Sequence, residues 1–234
     1  MESSQMHYLP LAPAFFAILA GIFLIVVVLI QIRVLRYAYM SLGVSSHAAL
    51  LLLLASLIGS YVNIPVAHLP ERVVQTGEEV TFFGMRYVVP VVQQWPGTVI
   101  AVNVGGAVIP TLLSIYLLFR FELWVRGVIA IAIVAAIIHT LAYPVHGVGI
   151  AVPIFVPPIA TAVVALLLAR HHAAPLAYVS GSLGTLIGAD LLNLGTVQGL
   201  GAPVASIGGA GTFDGIFLTG ILAVLLASFS KRAA

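Results

Sequence analysis

Residues 176–195, LAYVSGSLGTLIGADLLNLG, decide the fold class, because this 20-residue stretch carries a single charged side chain, that of Asp190. A helix needs about 20 mostly apolar residues to cross a hydrocarbon layer roughly 30 Å thick. Six other apolar runs of comparable length occur in the chain. The sequence therefore predicts seven membrane-spanning segments, at residues 10–32, 48–67, 98–119, 127–143, 149–169, 176–195 and 212–230.

The composition agrees with a chain whose main partner is the lipid bilayer. Hydrophobic residues make up 62% of the 234 residues, charged residues only 7%, and the mean hydropathy is +1.18. Such a chain has too little polar surface to coat a water-soluble globule. We expect an all-α polytopic membrane protein with kinked or broken segments, forming a single integral membrane domain over residues 1–234.

The basic residues predict the orientation of the segments. Seven of the nine Lys and Arg residues fall in alternate connections, after segments one, three, five and seven. Because cytoplasmic loops retain positive charge, the N-terminus is predicted outside and the C-terminus in the cytoplasm of a cell membrane. The basic residues are scattered rather than clustered, which argues against a nucleic-acid partner. The chain has no cysteine, so thiolate chemistry and disulfides are excluded.

One sizeable extracytoplasmic loop, residues 68–97, is predicted to contain a short β-hairpin. Its segments 71–75 and 80–89 are rich in Val, Phe and Tyr and flank Thr76 and Gly77, a turn signal. The hairpin is interpreted mainly as a surface element packed over the helices, with a docking role as the alternative.

The only two aspartates, Asp190 and Asp214, lie in the last two predicted segments at a similar depth near the outer face. A charged carboxylate inside hydrocarbon is costly, so such residues normally face a cavity or a partner. The alternative is that each aspartate only caps a helix end. Other candidate site residues fall at the same level: Asn63, Asn103, Gly106, His139, Tyr143, His146, Asn193, Gly211 and Thr212.

Glycines and prolines predict how these segments pack and where they break. Gly181, Gly184, Gly188 and Gly195 form a stripe that allows close helix packing, and Asp190 projects away from it. Pro110 deprives the carbonyl of Gly106 of its helical donor. The uncharged, glycine-rich connection 196–211 need not be helical, and Thr212 is a candidate cap for the last segment. Freed carbonyls at this level can line a cavity.

Histidines and aspartates at one level raise the question of a metal site. His139 and Tyr143 share a helical face, and His146 extends it if the helix continues past Pro144. Imidazole and carboxylate suit zinc or iron, but the sequence has no HExxH pattern and no tight ligand spacing. We therefore predict no metal and no cofactor.

Three motifs carry a resemblance to a known family: Gly188-Ala-Asp-Leu-Leu-Asn-Leu194, Gly208-Gly-Ala-Gly-Thr-Phe-Asp-Gly215 and Asn103-Val-Gly-Gly106. They resemble an uncharacterised archaeal and bacterial family of multi-pass membrane proteins of unknown function. In arrangement, Asp190 and Asp214 also resemble the catalytic pair of intramembrane aspartyl proteases of the presenilin and signal-peptide-peptidase type. Ala189 stands where that type has tyrosine, Thr212 and Phe213 separate Gly211 from the second aspartate, and the Pro-Ala-Leu motif is missing.

Three functions are compatible with these observations. The leading hypothesis is hydrolysis of a membrane-embedded peptide, in which one of the two carboxyls activates water and the other, protonated, donates to the scissile carbonyl. The alternative is a transporter or channel in which the same aspartates bind a proton or a small ion. A non-catalytic membrane scaffold is the third. A homo-oligomer is compatible with all three.

Overall fold

The computed structural model describes residues 13–70, 72–82, 85–95, 97–145, 149–153, 155–197, 203–209 and 215–232. The protein is mostly helical, with small β-sheets, as expected in outline. The helices are α1 (Pro13–Ser41), α2 (Ser46–Gly59), α3 (Ile109–Arg120), α4 (Trp124–Leu141), α5 (Val156–Leu168), α6 (Ala173–Thr185), α7 (Leu194–Val197) and α8 (Gly215–Arg232).

Helix α6 forms the centre of the bundle and packs against α3, α4, α5 and α8. Leu176, Ala177 and Val179 are fully buried, and the helix is buried nearly all round. Its small residues permit this, because a Cβ added at Gly181 would lie 3.2 Å from the Cα of Gly220 on α8.

Many bulky apolar side chains lie on the outside of the bundle, and several hydroxyl groups are buried inside it beside apolar residues such as Leu117 and Ile138. Leu51, Val125 and Leu167 are 66%, 74% and 80% exposed, whereas Ser114 and Thr161 are fully buried. Among the residues described, α4 is long and apolar enough to cross a membrane, and a second span results if Val28–Ser41 and α2, which are bent by 116°, count as one. Apolar patches of this extent mark surfaces that meet lipid or protein.

Seven strands accompany the helices in the described chain. They are β1 (Asn63–Leu69), β2 (Arg72–Phe82), β3 (Met85–Trp95), β4 (Thr98–Asn103), β5 (Tyr143–Val145), β6 (Gly149–Ala151) and β7 (Val204–Ile207). β1, β4 and β7 form a three-stranded sheet in the order β1-β4-β7, in which β1 and β4 are antiparallel and β4 and β7 are parallel. β2 pairs with β3, and β5 with β6.

The predicted hairpin is confirmed, but the predicted turn is wrong. Thr76 and Gly77 lie within β2, where Gly77 pairs with Pro90, and the chain reverses between Phe82 and Met85. The base of the hairpin explains the shift. Leu69 pairs with Thr98 at that base, and this pairing sets the register of the hairpin. The chain therefore reverses at the midpoint of the segment between these two residues.

The predicted segment boundaries also need correction. Residues 63–67 and 98–103 were predicted to be helical but belong to β1 and β4, and residues 149–151, also in a predicted segment, form β6. Pro65 lacks the N–H that a helix needs, and β-branched residues favour pairing between the two strands. Segments two, three and five therefore contain shorter helices than an apolar count suggests.

Candidate functional site

Asn103 is the last residue of β4 and immediately precedes a π-helical turn, Val104–Val108, that leads into α3. Its side chain is 2% exposed. The Oδ1 atom accepts a hydrogen bond of 2.8 Å from the N–H of Gly106. The Nδ2 group donates to the carbonyl of Ser60 at 2.8 Å and to Oδ1 of Asn63 at 3.1 Å. Asn103 thus fastens α2, β1 and the start of the widened turn together.

Gly106 donates its backbone N–H to Oδ1 of Asn103, and the freed carbonyl that the sequence suggested stays a prediction. The neighbouring Gly105 packs directly on the end of α2, where an added Cβ would collide with the carbonyl oxygen of Ser56. Pro110 lies in the first turn of α3, where its missing N–H costs little. The π-helical turn Val104–Val108 accommodates the interruption of the helix before Pro110, and such turns are frequent at functional sites.

Asp190 ends a second π-helical turn, Leu186–Asp190, which continues α6. Its Oδ2 accepts a hydrogen bond of 2.7 Å from the backbone N–H of Gly208, the residue that follows β7. Among the described residues, Oδ1 has no hydrogen-bond partner. The carboxylate is therefore oriented by one oxygen and can present the other to a ligand.

Gly208 and Gly209 bring Asp190 and Asn103 into one site. Gly208 has a φ of +79°, and a Cβ there would lie 2.7 Å from the backbone nitrogen of Ala107. A Cβ on Gly209 would lie 2.7 Å from the Cγ of Asn103. Ser206 of β7 donates from Oγ to Oδ1 of Asn63 at 2.6 Å. We call Asn63, Asn103, Asp190, Ser206 and Gly208 the strand-end cluster.

Asn193 and His139 extend the polar contacts beyond this cluster. The Nδ2 group of Asn193 donates to the carbonyls of Gly188 and Ala189, both at 2.9 Å, and lies 3.3 Å from Nδ1 of His139. These two carbonyls belong to the widened turn before Asp190, so Asn193 supports its shape. The predicted helical pairing of His139 with Tyr143 is wrong, because α4 ends at Leu141 and Tyr143 begins β5.

The predicted glycine stripe is divided among three neighbouring helices rather than facing one. Gly184 and Gly188 pack against Val134 and Ala135 of α4, whereas Gly181 packs against Gly220 of α8 and Thr161 of α5, and a Cβ on Gly195 would meet nothing within 4 Å. The stripe splits because α6 is surrounded on all sides. Asp190 bonds to the end of β7 and not to α4, which agrees with the prediction that it projects away from the glycines.

Four candidate residues, His146, Gly211, Thr212 and Asp214, lie outside the described residues. The pairing of Asp190 with Asp214 therefore stays a prediction. The described end of the glycine-rich connection, residues 203–209, contains β7 and is not helical, as expected.

Neither β7 nor the contact of Ser206 with Asn63 was predicted from the sequence. A signal for the strand was present, since Val204 to Ile207 contains two β-branched residues and is bounded by Pro203 and Gly208. Nothing in the sequence indicated that this strand would pair with β4, about a hundred residues earlier.

Comparison with known proteins adds one finding. A family model described as protein of unknown function, DUF1614, matches residues 57–226, which include every residue of the strand-end cluster. No curated protein and no solved structure matches the chain significantly.

Proposed function

We propose, on the premise that the chain belongs to the DUF1614 family of unknown function, that it is a seven-span membrane protein that hydrolyses peptide bonds. Asp190 and Asp214 are the proposed catalytic pair. The proposed topology has the N-terminus outside and the strand-end cluster near the outer face.

The side-chain distribution supports a membrane location. In lipid, helices associate through small and hydroxyl residues rather than through bulky apolar ones. The buried Ser180, Ser182 and Thr185 of α6 fit this pattern, as do the exposed Leu112 and Phe119 of α3, which are 62% and 66% exposed.

The observation that carries the peptide hypothesis is the position of Asp190 at the end of an edge strand. β7 pairs with β4 on one side only, and no strand of the described chain pairs with its other edge. An extended peptide can add to such an edge through main-chain hydrogen bonds. The Asp190 carboxylate is bonded to the residue immediately after β7, so a peptide bond held along that edge would lie beside it.

Two carboxyl groups at this point supply the chemistry of hydrolysis. One carboxylate takes a proton from water, and the resulting hydroxide attacks the carbonyl carbon while the other carboxyl donates its proton to the carbonyl oxygen. The tetrahedral intermediate then collapses: the C–N bond breaks, the amine leaves with the proton of the first carboxyl, and the second carboxylate takes back a proton from one hydroxyl of the intermediate. Oδ1 of Asp190 is the oxygen available to the water, because Oδ2 is held by Gly208.

Ion-coupled transport is the second candidate, and the two π-helical turns favour it. The two turns, Val104–Val108 and Leu186–Asp190, lie on either side of the loop that contains Gly208. The helices that these turns interrupt therefore meet at one level, separated by that loop. Discontinuous helices beside a carboxylate are typical of ion sites in transporters. This candidate requires a route to both faces of the membrane, whereas hydrolysis requires lateral access for a peptide.

The two functions separate in one reconstituted system. Purified protein in proteoliposomes is incubated with a panel of membrane-spanning peptides, and ion flux is recorded in parallel. Asp190→Asn and Asp214→Asn should each lower cleavage by at least about a hundredfold, the scale of a lost acid or base. Glu122→Gln, at an exposed carboxylate far from the cluster in sequence, is the matched control. Cleavage that survives both substitutions rejects the hydrolysis proposal. If both substitutions leave cleavage, ion flux and every other function unchanged, the non-catalytic scaffold is the hypothesis that remains.

A further inference from the structure

A cavity of about 240 Å³ lies where the central helix α6 begins, and we call it the helix-end cavity. The last turn of α1, the start of α6 and the end of α8 surround it. Its lining includes Tyr37, Ser41, His171, Ala173, Ala174 and Ser228. Sites for drug-sized ligands usually have roughly 300–1,000 Å³, and a water molecule takes about 30 Å³. The helix-end cavity therefore suits a group of a few heavy atoms.

The first turn of α6 supplies backbone hydrogen-bond donors to this cavity. The first N–H groups of any α-helix have no partner within the helix. His172 occupies the position before α6, and its side chain makes no capping hydrogen bond. Pro175 has no N–H, so the donors of this turn are those of Ala173 and Ala174, and both residues line the cavity. The positive end of the α6 dipole lies there as well.

Side chains on two further segments add polar groups to the lining. The Oγ atom of Ser228, on α8, is buried and has no hydrogen-bond partner among the described residues. Because buried hydroxyls are almost always bonded to protein, water or a ligand, Ser228 is a separate indication of an occupant. His171 lines the cavity and is also exposed, so a ligand can reach it from outside. Ser41 is already engaged, since its Oγ donates to the carbonyl of Tyr37 at 2.9 Å.

The segments around the helix-end cavity are strongly basic. Residues 33–41, 170–175 and 227–232 contain five of the nine Lys and Arg residues and no Asp or Glu: Arg33, Arg36, Arg170, Lys231 and Arg232. The C-terminal ends of α1 and α8 each bring roughly half a negative charge to this end of the bundle. Five full positive charges outweigh these two dipoles, so the site favours an anion over a cation.

We propose that the helix-end cavity binds a phosphate group. Such a group presents several acceptor oxygens, which the N–H groups of Ala173 and Ala174, the imidazole of His171 and the hydroxyl of Ser228 can meet from different sides. Two sources carry this chemistry, the headgroup of an anionic phospholipid and inorganic phosphate. The lipid source rests on the proposed topology, which puts this end of the bundle at the cytoplasmic face, where basic pockets between helices bind headgroups. The site is separate from Asp190 and does not depend on peptide hydrolysis.

Equilibrium binding to the purified full-length protein tests the site. Radiolabelled inorganic phosphate is measured by equilibrium dialysis in phosphate-free detergent. Phosphatidic acid is supplied in phosphatidylcholine nanodiscs, and the lipid that stays bound after extraction is counted by native mass spectrometry. His171→Ala and Ser228→Ala should each weaken binding about tenfold, the loss of one hydrogen bond to a charged group. His172→Ala is the matched control, because this neighbouring imidazole packs 5.3 Å from the ring of Phe121, between centroids, and is not in the lining.

The two probes also distinguish the two sources. Binding of inorganic phosphate supports the proposal with a soluble ligand, and retention of phosphatidic acid without phosphate binding supports it with a lipid ligand. If neither probe binds, or if His171→Ala binds as tightly as His172→Ala, the proposal is overturned.

A measurement on the unaltered protein covers the case of variants that do not fold. Diethyl pyrocarbonate modifies accessible imidazoles, and mass spectrometry assigns the modified positions. Inorganic phosphate or phosphatidic acid should slow the modification of His171 severalfold, whereas His47, exposed at the start of α2, should react at an unchanged rate. A His171 rate that neither ligand changes overturns the proposal. Because neither assay uses a peptide, Asp190→Asn can abolish cleavage while phosphate binding persists, and the two proposals fail independently.

Discussion

The carboxylate of Asp190 and the backbone N–H of Gly208 are joined by a hydrogen bond of 2.7 Å. This contact connects the widened turn at the end of α6 to the end of β7, so the sheet and the central helix hold each other in place. Because the bonded oxygen is Oδ2, the contact also leaves Oδ1 as the carboxylate oxygen that faces away from it. Substitutions at Asp190 and Gly208 therefore test both the fold and the proposed function.

Gly208→Ala should disrupt the site without touching an ionisable group. The residue has a positive φ of +79°, and an added Cβ would lie 2.7 Å from the backbone nitrogen of Ala107. Strain and overpacking together predict a loss of about 2–4 kcal/mol in the free energy of unfolding, measured by denaturant titration in detergent. Gly195→Ala is the matched control, since a Cβ there meets nothing within 4 Å. Equal stabilities of the two variants would refute the close approach at Gly208.

Asn103→Ala should destabilise the protein far more than Ser206→Ala. The first substitution removes the bonds to Gly106 and to the carbonyl of Ser60 at a residue that is 2% exposed. Leaving those groups unpaired predicts a loss of about 2–4 kcal/mol. The second substitution removes one contact at a partly buried residue and should cost about 1 kcal/mol. If thermal unfolding ranks the two variants in the opposite order, Asn103 does not have the fastening role assigned to it.

The proposed topology can be tested with single cysteines, because the chain contains none. Glu78→Cys should react with a membrane-impermeant maleimide on intact cells. His47→Cys and Glu122→Cys, in the connections after segments one and three, should react only after the membrane is permeabilised. Labelling of position 47 or 122 on intact cells would reverse the predicted orientation.

The sequence predicted elements whose signals are local. The hairpin within 68–97, the non-helical character of residues 203–209 and the break at Pro110 all follow from residue types within a few positions. The reversal between Phe82 and Met85 did not, because the pairing of β1 with β4 sets it from outside the segment. An apolar count also cannot distinguish a buried strand from a helix, as residues 98–103 demonstrate.

The site was also predictable only in part, because its contacts join residues that are far apart in the chain. Asp190, Asn103 and Asn193 are predictable as site residues because they are polar residues in apolar segments, which needs no knowledge of partners. The contacts themselves join distant parts of the chain: Asp190 with Gly208, Asn103 with Ser60, and Ser206 with Asn63. These contacts depend on the pairing of β4 with β1 and of β7 with β4, and no local pattern encodes either pairing.

The separation of residues 190 and 214 tests the central claim, that the two aspartates form one site. In the cysteine-free chain, Asp190→Cys with Asp214→Cys is treated with a bifunctional thiol reagent that spans about 8 Å, the limit for two carboxyls that share a water. The control pair is Asp190→Cys with Glu122→Cys. The account predicts an intramolecular cross-link in the first pair and none in the second. A first pair that reacts with a monofunctional maleimide at both positions but never cross-links would contradict it.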